Sequence, residues 1–394
     1  MNGLADYGWL AIAALYCLAL LGLMVYGGHC YVMTWMFLRR QRQHRRDQQQ
    51  EIDTWLAARQ DDDDFPFVTI QLPVYNEREV VARLLRSTLE LDYPRDRFEV
   101  QVLDDSTDET RHIIDRTCRE LKAAGLTVAV LRREHREGFK AGALMAGLRV
   151  ARGEYCAIFD ADFLIPADFL KRTMALIEPH QDVACVQARW GHINGRENWL
   201  TQAQSVGIDG HFAAEQGARG YSDLCLNFNG TAGIWRISAI DAAGGWQGDT
   251  LTEDLDLSYR AQLTGYRIRY DLDLVCPAEV PNNVLALKSQ QRRWAKGSME
   301  TAIKLIPHIL RSPRLNRVQK LEAVLHLTHY MVSVFMCMVC VLTMPMLIWT
   351  PTPRIFWVLA IIWSLILVSA LAPCVMYTLS GRVFGRGLFS LTRF

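Results

Sequence analysis

Three things are scarce in this chain of 394 residues. Net charge is almost absent, +1 at pH 7, which removes any global argument for a nucleic acid or another polyanionic partner. Metal-type cysteine spacing is absent from the polar part of the chain, although there are ten cysteines. Nothing suggests a disulfide framework either, which fits a domain facing a reducing compartment. The one Cys-x-x-Cys, Cys337 and Cys340, lies in an apolar run. Thiolates are costly to ionise there, so both read as packing residues. There is no internal repeat and no low-complexity segment.

What is present is apolar residue in blocks. Half the residues are hydrophobic, and they concentrate at Trp9–Leu38, Leu321–Trp349 and Ile355–Leu379. The first block exceeds the core of a signal peptide, roughly 7–15 residues, and is long enough to span a bilayer, which takes about 20. Arg39, Arg40, Arg42, Arg45 and Arg46 follow it at once. Basic residues mark cytoplasmic flanks, so the expectation is an integral protein of the inner or plasma membrane. Its N-terminus would lie outside and its large domain in the cytosol. The arginines abut a span and no aromatic residues interleave with them, so a nucleic-acid patch is the weaker reading. The two later blocks would cross out and back through a turn at Pro351-Thr352-Pro353-Arg354, returning Arg382 and Arg386 to the inside.

This predicts a transmembrane helix over 1–40, a polar solvated linker over 41–65 that ends in Asp61–Asp64, and a catalytic-size domain over 66–300. An amphipathic helix at the membrane interface is expected over 301–320, carrying Lys304, Arg311, Arg314, Arg317 and Lys320. Two further spans over 321–380 and a cytosolic tail over 381–394 complete the order. Within the domain, β-rich runs alternate with helical ones. Phe67–Leu72, Phe98–Leu103, Leu126–Leu131 and Tyr155–Phe159 read as strands, the first stopping at Pro73. Val80–Leu91, Glu109–Ala124 and Phe139–Val150 read as helices. Such a rhythm predicts an α/β fold with a parallel, doubly wound sheet, in which ligands bind at the carboxyl ends of strands.

Carboxylates stand at two of those ends. Asp104-Asp105 can accept hydrogen bonds from a base and ribose, although an Asp pair also caps helices. Asp160-Ala161-Asp162 suits Mg²⁺ or Mn²⁺, hard ions held by one or two carboxylates plus substrate phosphates. Thr252-Glu253-Asp254 offers a base, Asp254, for an acceptor hydroxyl. Alternatively it is merely a helix start with acids favouring the dipole. Gln290-Gln291-Arg292-Arg293-Trp294 supplies an arginine fork for diphosphate oxygens and an indole face for a sugar, unless Trp294 is core packing. Lys140 opens a helix whose amides favour phosphate.

Phe67–Leu305 resembles the membrane-integrated family 2 glycosyltransferases of GT-A fold, a group that includes cellulose synthase and the cellulose-synthase-like glucomannan synthases. The resemblance lies in Pro73–Glu77, Gln101–Asp108, Gly138–Leu144, Phe159–Phe163, Val186–Trp190, Phe228–Gly233 and Gln290–Trp294. It implies that Tyr75, Glu77, Asp104, Asp105 and Lys140 hold the nucleotide. Asp160 and Asp162 would serve nucleotide and metal, with Asp254 the general base. Gln290 and Arg293 would meet the diphosphate, and Trp294 the acceptor sugar. Phe228, Asn229, Gly230 and Thr231, with Glu253, would line the acceptor end. The implied partners are a UDP-glucose or GDP-mannose donor, a polysaccharide or glycolipid acceptor, and the bilayer.

The leading expectation is an inverting transferase that extends a β-linked polysaccharide. A non-processive lipid glycosyltransferase is the alternative, and a catalytically silent nucleotide-sugar-binding subunit is the third reading. Asp254 together with Arg293 speaks against the last, since a sensor needs no base. Three spans enclose a polymer channel poorly, which leaves open a homo-oligomer, a truncated chain, or a product that is not translocated.

Overall fold

The structure, a computed structural model, describes residues 3–59, 61–349 and 353–385. The first half of the turn expected at Pro351–Arg354, and the tail from Arg386 onward, lie outside the described residues. In chain order the elements are α1 (Gly3–Ala57), β1 (Val68–Val74), α2 (Val81–Ser87), β2 (Phe98–Asp104), α3 (Thr110–Ala123), β3 (Val128–Leu131), α4 (Phe139–Leu148), β4 (Tyr155–Ile158), α5 (Phe169–Ile177) and β5 (Val183–His192). Then come α6 (Trp199–Gly210), a π-helical turn (His211–Gln216), α7 (Gly217–Gly220), β6 (Gly233–Arg236), α8 (Ile237–Ala242), α9 (Glu253–Leu263) and β7 (Arg267–Ala278). The chain closes with α10 (Val284–Arg311), α11 (Arg317–Leu327), α12 (Met331–Trp349) and α13 (Pro353–Val383).

Among the described residues the strands form one seven-stranded sheet in the order β3-β2-β1-β4-β6-β5-β7. Strands β1 to β4 pair in parallel, as the alternation predicts. The sheet is nevertheless mixed, which corrects the expectation of a wholly parallel one. β6 runs antiparallel to both β4 and β5, because the chain leaves β5, passes through α6 and α7, and re-enters the sheet at the same end where it left β5. β1 also continues through Pro73 to Val74. Pro73 lies beyond the last β4 partner, Gln71, so no ladder donor is lost on that side.

Alternate strand residues bury on opposite faces. Val68, Ile70, Leu72, Val100 and Val102 pack with α2, α3 and α5. Cys156, Ile158, Cys185 and Trp235 pack with α4, α8, α9 and the π turn. α3 shows why such helices form: Ile114, Cys118 and Leu121 recur at helical spacing and are all buried.

The expected linker is not one. α1 runs unbroken to Ala57, and Gln41, Gln48, Ile52 and Trp55 form a buried stripe at helical spacing within an otherwise polar stretch. Arg45 pairs with Asp273 at 2.6 Å, Arg269 with Glu51 at 2.7 Å, and Gln48 donates to the Tyr270 carbonyl at 2.9 Å. A polar composition therefore concealed a docked helix. The Asp61–Asp64 end is exposed throughout, with Asp63 pairing Arg97.

The expected interfacial helix is likewise two pieces. α10 begins before Thr301 and stops ahead of Pro313; Asn316 then caps α11 by accepting from the Val318 and Gln319 amides at 2.9 Å. Both pieces leave large apolar side chains exposed: Ile303 and Leu310 on α10, Val318 and Leu321 on α11. Among the described residues three helices are long and apolar enough to cross a membrane, within α1, α12 and α13. Tyr16, Ala19 and Leu20 of α1 bury against Val339 and Met346 of α12.

Candidate active site

The carboxyl ends of β4, β5 and β7 and the starts of α4 and α9 converge on a cavity of about 480 Å³. Lys140, Asp160, Asp162, Glu253 and Asp254 line it, together with Asn229 and Gly230 of the loop before β6. Gln290, Arg293 and Trp294 face it from α10. These residues are far apart in sequence, so only the fold brings them together. Two of the lining residues hold left-handed backbone conformations, Phe139 at φ 48° and Gly230 at φ 81°. Non-glycine residues pay about 1–3 kcal/mol for such geometry, a strain that concentrates at functional sites.

The electrostatics follow from burial. Lys140 donates to Asp160 and, at 2.9 Å, to the Gly230 carbonyl. Burial pushes its ammonium down, but Asp160, Glu253 and Asp254 together hold it above the ordinary lysine value. Asp160 is fixed at its own amide, which donates to the Thr231 hydroxyl at 2.9 Å. Burial, and then the neighbouring Asp160 charge, push Asp162 up to about 7. Asp254 is likewise raised to about 7, by burial first and Glu253 second. One of its oxygens accepts from the Leu255 amide at 2.8 Å. The helix start foreseen as the bland reading is real, since α9 begins at Glu253. The same turn delivers Asp254 to the cavity. Glu77 is raised by burial and by Asp160.

Asp160 and Asp162, side by side after β4, could hold a divalent ion. Burial and the Asp160 charge disfavour the ionised form of Asp162, which a bound cation would favour. Among the described residues no group of three or more His, Cys, Asp or Glu side chains could hold a metal ion.

Other expected residues sit elsewhere. Asp104 is buried, accepts from Arg132 at 2.7 Å and from the Ser106 amide at 3.0 Å, and lies outside the cavity lining. Asp105 is clasped by Arg133, with Arg136 at 3.7 Å. Arg136 also lies 3.4 Å from the Tyr75 ring centroid, so a planar cation covers the exposed face of Tyr75. Phe228 is fully buried against Trp235 and Trp246, and Thr231 is buried beneath Asp160. Residues that sequence reasoning missed include Arg136, Trp190, His192 and Glu279, all in the cavity wall. Arg136 had a signal in the Arg132–Arg136 basic run beside Lys140; the others stand at the ends of β5 and β7, which only the sheet order juxtaposes.

A second cavity, about 460 Å³, shares Asn229, Asp254, Gln290 and Trp294 with the first and continues toward α13 at Met376 and Tyr377. Trp294 is half-buried in the shared wall.

Comparison with known proteins gives this geometry a context. The profile of glycosyl transferase family 2 matches residues 69–236, and that of glycosyl transferase family group 2 matches residues 155–375. The chain is 38% identical over 290 residues to glucomannan 4-beta-mannosyltransferase 2 of Arabidopsis thaliana, covering 71% of this chain and 54% of that one. It is 37% identical over 302 residues to glucomannan 4-beta-mannosyltransferase 1 of Oryza sativa subsp. japonica, covering 74% and 57%. It thus spans little more than half the length of these relatives. A solved mannosyltransferase of Pyrobaculum calidifontis, in complex with GDP-Man and Mn²⁺, shares the fold at a TM-score of 0.55 and 20% identity, covering 89% of this chain and 99% of its own.

Proposed function

Because the chain belongs to glycosyl transferase family group 2, we propose that it is a membrane-embedded inverting transferase that moves mannose from GDP-mannose to a β-linked glycan. The observation that carries the reading is Asp254 in one cavity with Lys140, Asp160 and Asp162. A base stands there beside groups suited to a departing diphosphate. The names of the plant relatives favour the mannosyl donor over UDP-glucose.

In the mechanism, Asp254 takes the proton from the acceptor hydroxyl as its oxygen attacks the anomeric carbon. A carboxylate raised to about 7 suits that task near neutral pH. Lys140, Gln290 and Arg293 orient the diphosphate and offset its charge. Asp160 and Asp162 would hold Mg²⁺ or Mn²⁺, which when bound supplies Lewis acidity toward the diphosphate. Tyr75, Glu77 and Asp105 receive the nucleoside, Asp105 being freed when Arg133 and Arg136 move aside. Trp294 gives the terminal acceptor sugar an apolar face. The arginines after the first span favour a cytosolic site, with the exposed apolar residues of α10 and α11 against the membrane surface.

The test is incubation of membranes containing the protein with labelled GDP-mannose or UDP-glucose, followed by product sizing and linkage analysis. A β-mannan-type product from GDP-mannose is expected. Label recovered only in extractable lipid would replace the glycan acceptor by a lipid one, and incorporation from UDP-glucose alone would overturn the donor.

A further inference from the structure

The second cavity touches the base and, of the donor groups, only Gln290. Lys140, Asp160, Asp162 and Arg293 line only the first cavity, whereas Asp254, Asn229 and Trp294 line both. The remaining wall of the second cavity includes the π-helical turn. π turns inside helices are rare and recur at functional sites. This one is fixed from outside, since Gly210 just before it packs against the Tyr377 ring so closely that a Cβ there would clash.

The turn presents an ordered polar pair. His211 Nδ1 meets a Glu215 oxygen at 2.7 Å, and His211 Nε2 meets Asn229 Oδ1 at 3.3 Å. Glu215 in turn lies 4.0 Å from Arg219, which pairs with Glu322 at 3.0 Å. Burial pushes the Glu215 carboxyl up, but His211 and Arg219 outweigh it and bring it down to about 2. It stays ionised and holds the imidazole ring in place. The hydrogen bonding is nevertheless incomplete. Asn229 Oδ1 also accepts from Asn227 Nδ2 at 2.9 Å, while Asn229 Nδ2, in the cavity wall, is buried with no partner among the described residues. Buried polar atoms are normally satisfied, so a donor left over beside a cavity is completed by what enters it. A sugar hydroxyl, both donor and acceptor, can accept from that amide.

We propose that the π turn reads the acceptor: Asn229, through the Nδ2 left without a partner, hydrogen-bonds a hydroxyl of the terminal acceptor sugar beside the one deprotonated by Asp254, and His211, held by Glu215, positions Asn229 through its Oδ1. This rests on the transferase reading above and assigns Asn229 as a specificity residue and His211 and Glu215 as positioning residues.

The experiment measures initial transfer rates from GDP-mannose to short β-linked manno-oligosaccharides, with GDP affinity and Tm measured on the same purified full chain. His211→Ala should raise the acceptor half-saturation concentration about tenfold or more, while GDP affinity shifts less than about twofold. Glu215→Gln, nearly isosteric, should move the acceptor constant in the same direction by about threefold, because the ring loses its ionic anchor. A merely structural pair would lower Tm and weaken donor and acceptor together, which overturns the proposal. So do acceptor constants within about twofold of wild type in both variants. If His211→Ala does not fold, Glu215→Gln decides. If the wild type uses only UDP-glucose, the donor reading falls and the same acceptor constants, measured with that donor, still decide. If only a lipid extract serves as acceptor, the π-turn proposal falls.

Discussion

Replacing Asp254 by Asn separates chemistry from stability. The amide cannot take a proton, so kcat should fall about 10²-fold or more while donor affinity persists. The effect on stability has the opposite sign. Burial and Glu253 raise the Asp254 carboxyl from 3.8 to about 7. At roughly 1.4 kcal/mol per unit, ionising it inside the fold costs on the order of 4 kcal/mol once the pH exceeds 7. The folded state binds this proton more tightly than the unfolded chain does. The penalty is therefore absent below about pH 4, grows between pH 4 and 7, and is complete above 7. Asp254→Asn removes it. The variant should unfold several degrees higher than wild type at pH 8, and nearly level with it at pH 4.5. Thermal unfolding at the two pH values, with labelled-donor turnover at pH 8, gives the answer. A variant no more stable at pH 8 than at pH 4.5, relative to wild type, would refute the buried-charge argument. Turnover within about tenfold of wild type would place the base elsewhere.

Three further outcomes are expected. Chelation with EDTA should abolish transfer, and Mg²⁺ or Mn²⁺ should restore it, with donor affinity measured by calorimetry falling in parallel; full activity and affinity without metal would sink the role of Asp162. Trp294→Ala should shorten or abolish product while GDP affinity changes less than about twofold, and product of unchanged length and yield would make Trp294 a packing residue. Gly230→Ala should cost about 1 kcal/mol of stability at its φ of 81°, and most of the activity, because the new methyl would sit 3.0 Å from an Asp254 oxygen and 3.6 Å from Lys140 Nζ; unchanged kcat would show that this loop tolerates crowding of the base.

Local pattern sufficed for much of the fold. Strand and helix periods are short-range, so β1 to β4 and α2 to α4 could be placed within a few residues. A carboxylate at the end of an apolar strand announces itself. The start of α9 at Glu253 and the three apolar helices also follow from residues close together in the chain. Other features depend on residues that meet only in space. The polar stretch of α1 reads as a linker until Gln48, Ile52 and Trp55 find β7 and the core. Asp104 and Asp105 look equivalent in sequence, yet one faces Arg132 and the other Arg133 and Arg136. The antiparallel β6 follows from the route the chain takes around the sheet. The burial that raises Asp162 and Asp254 belongs to the assembled cavity, and so does the pairing of His211 with Glu215 and Asn229. Composition and period determined which groups this protein carries and roughly where they lie along the strands. Tertiary structure decided which of them share a low-dielectric space, because charge and hydrogen-bond energies depend on distance and burial rather than on order in the chain.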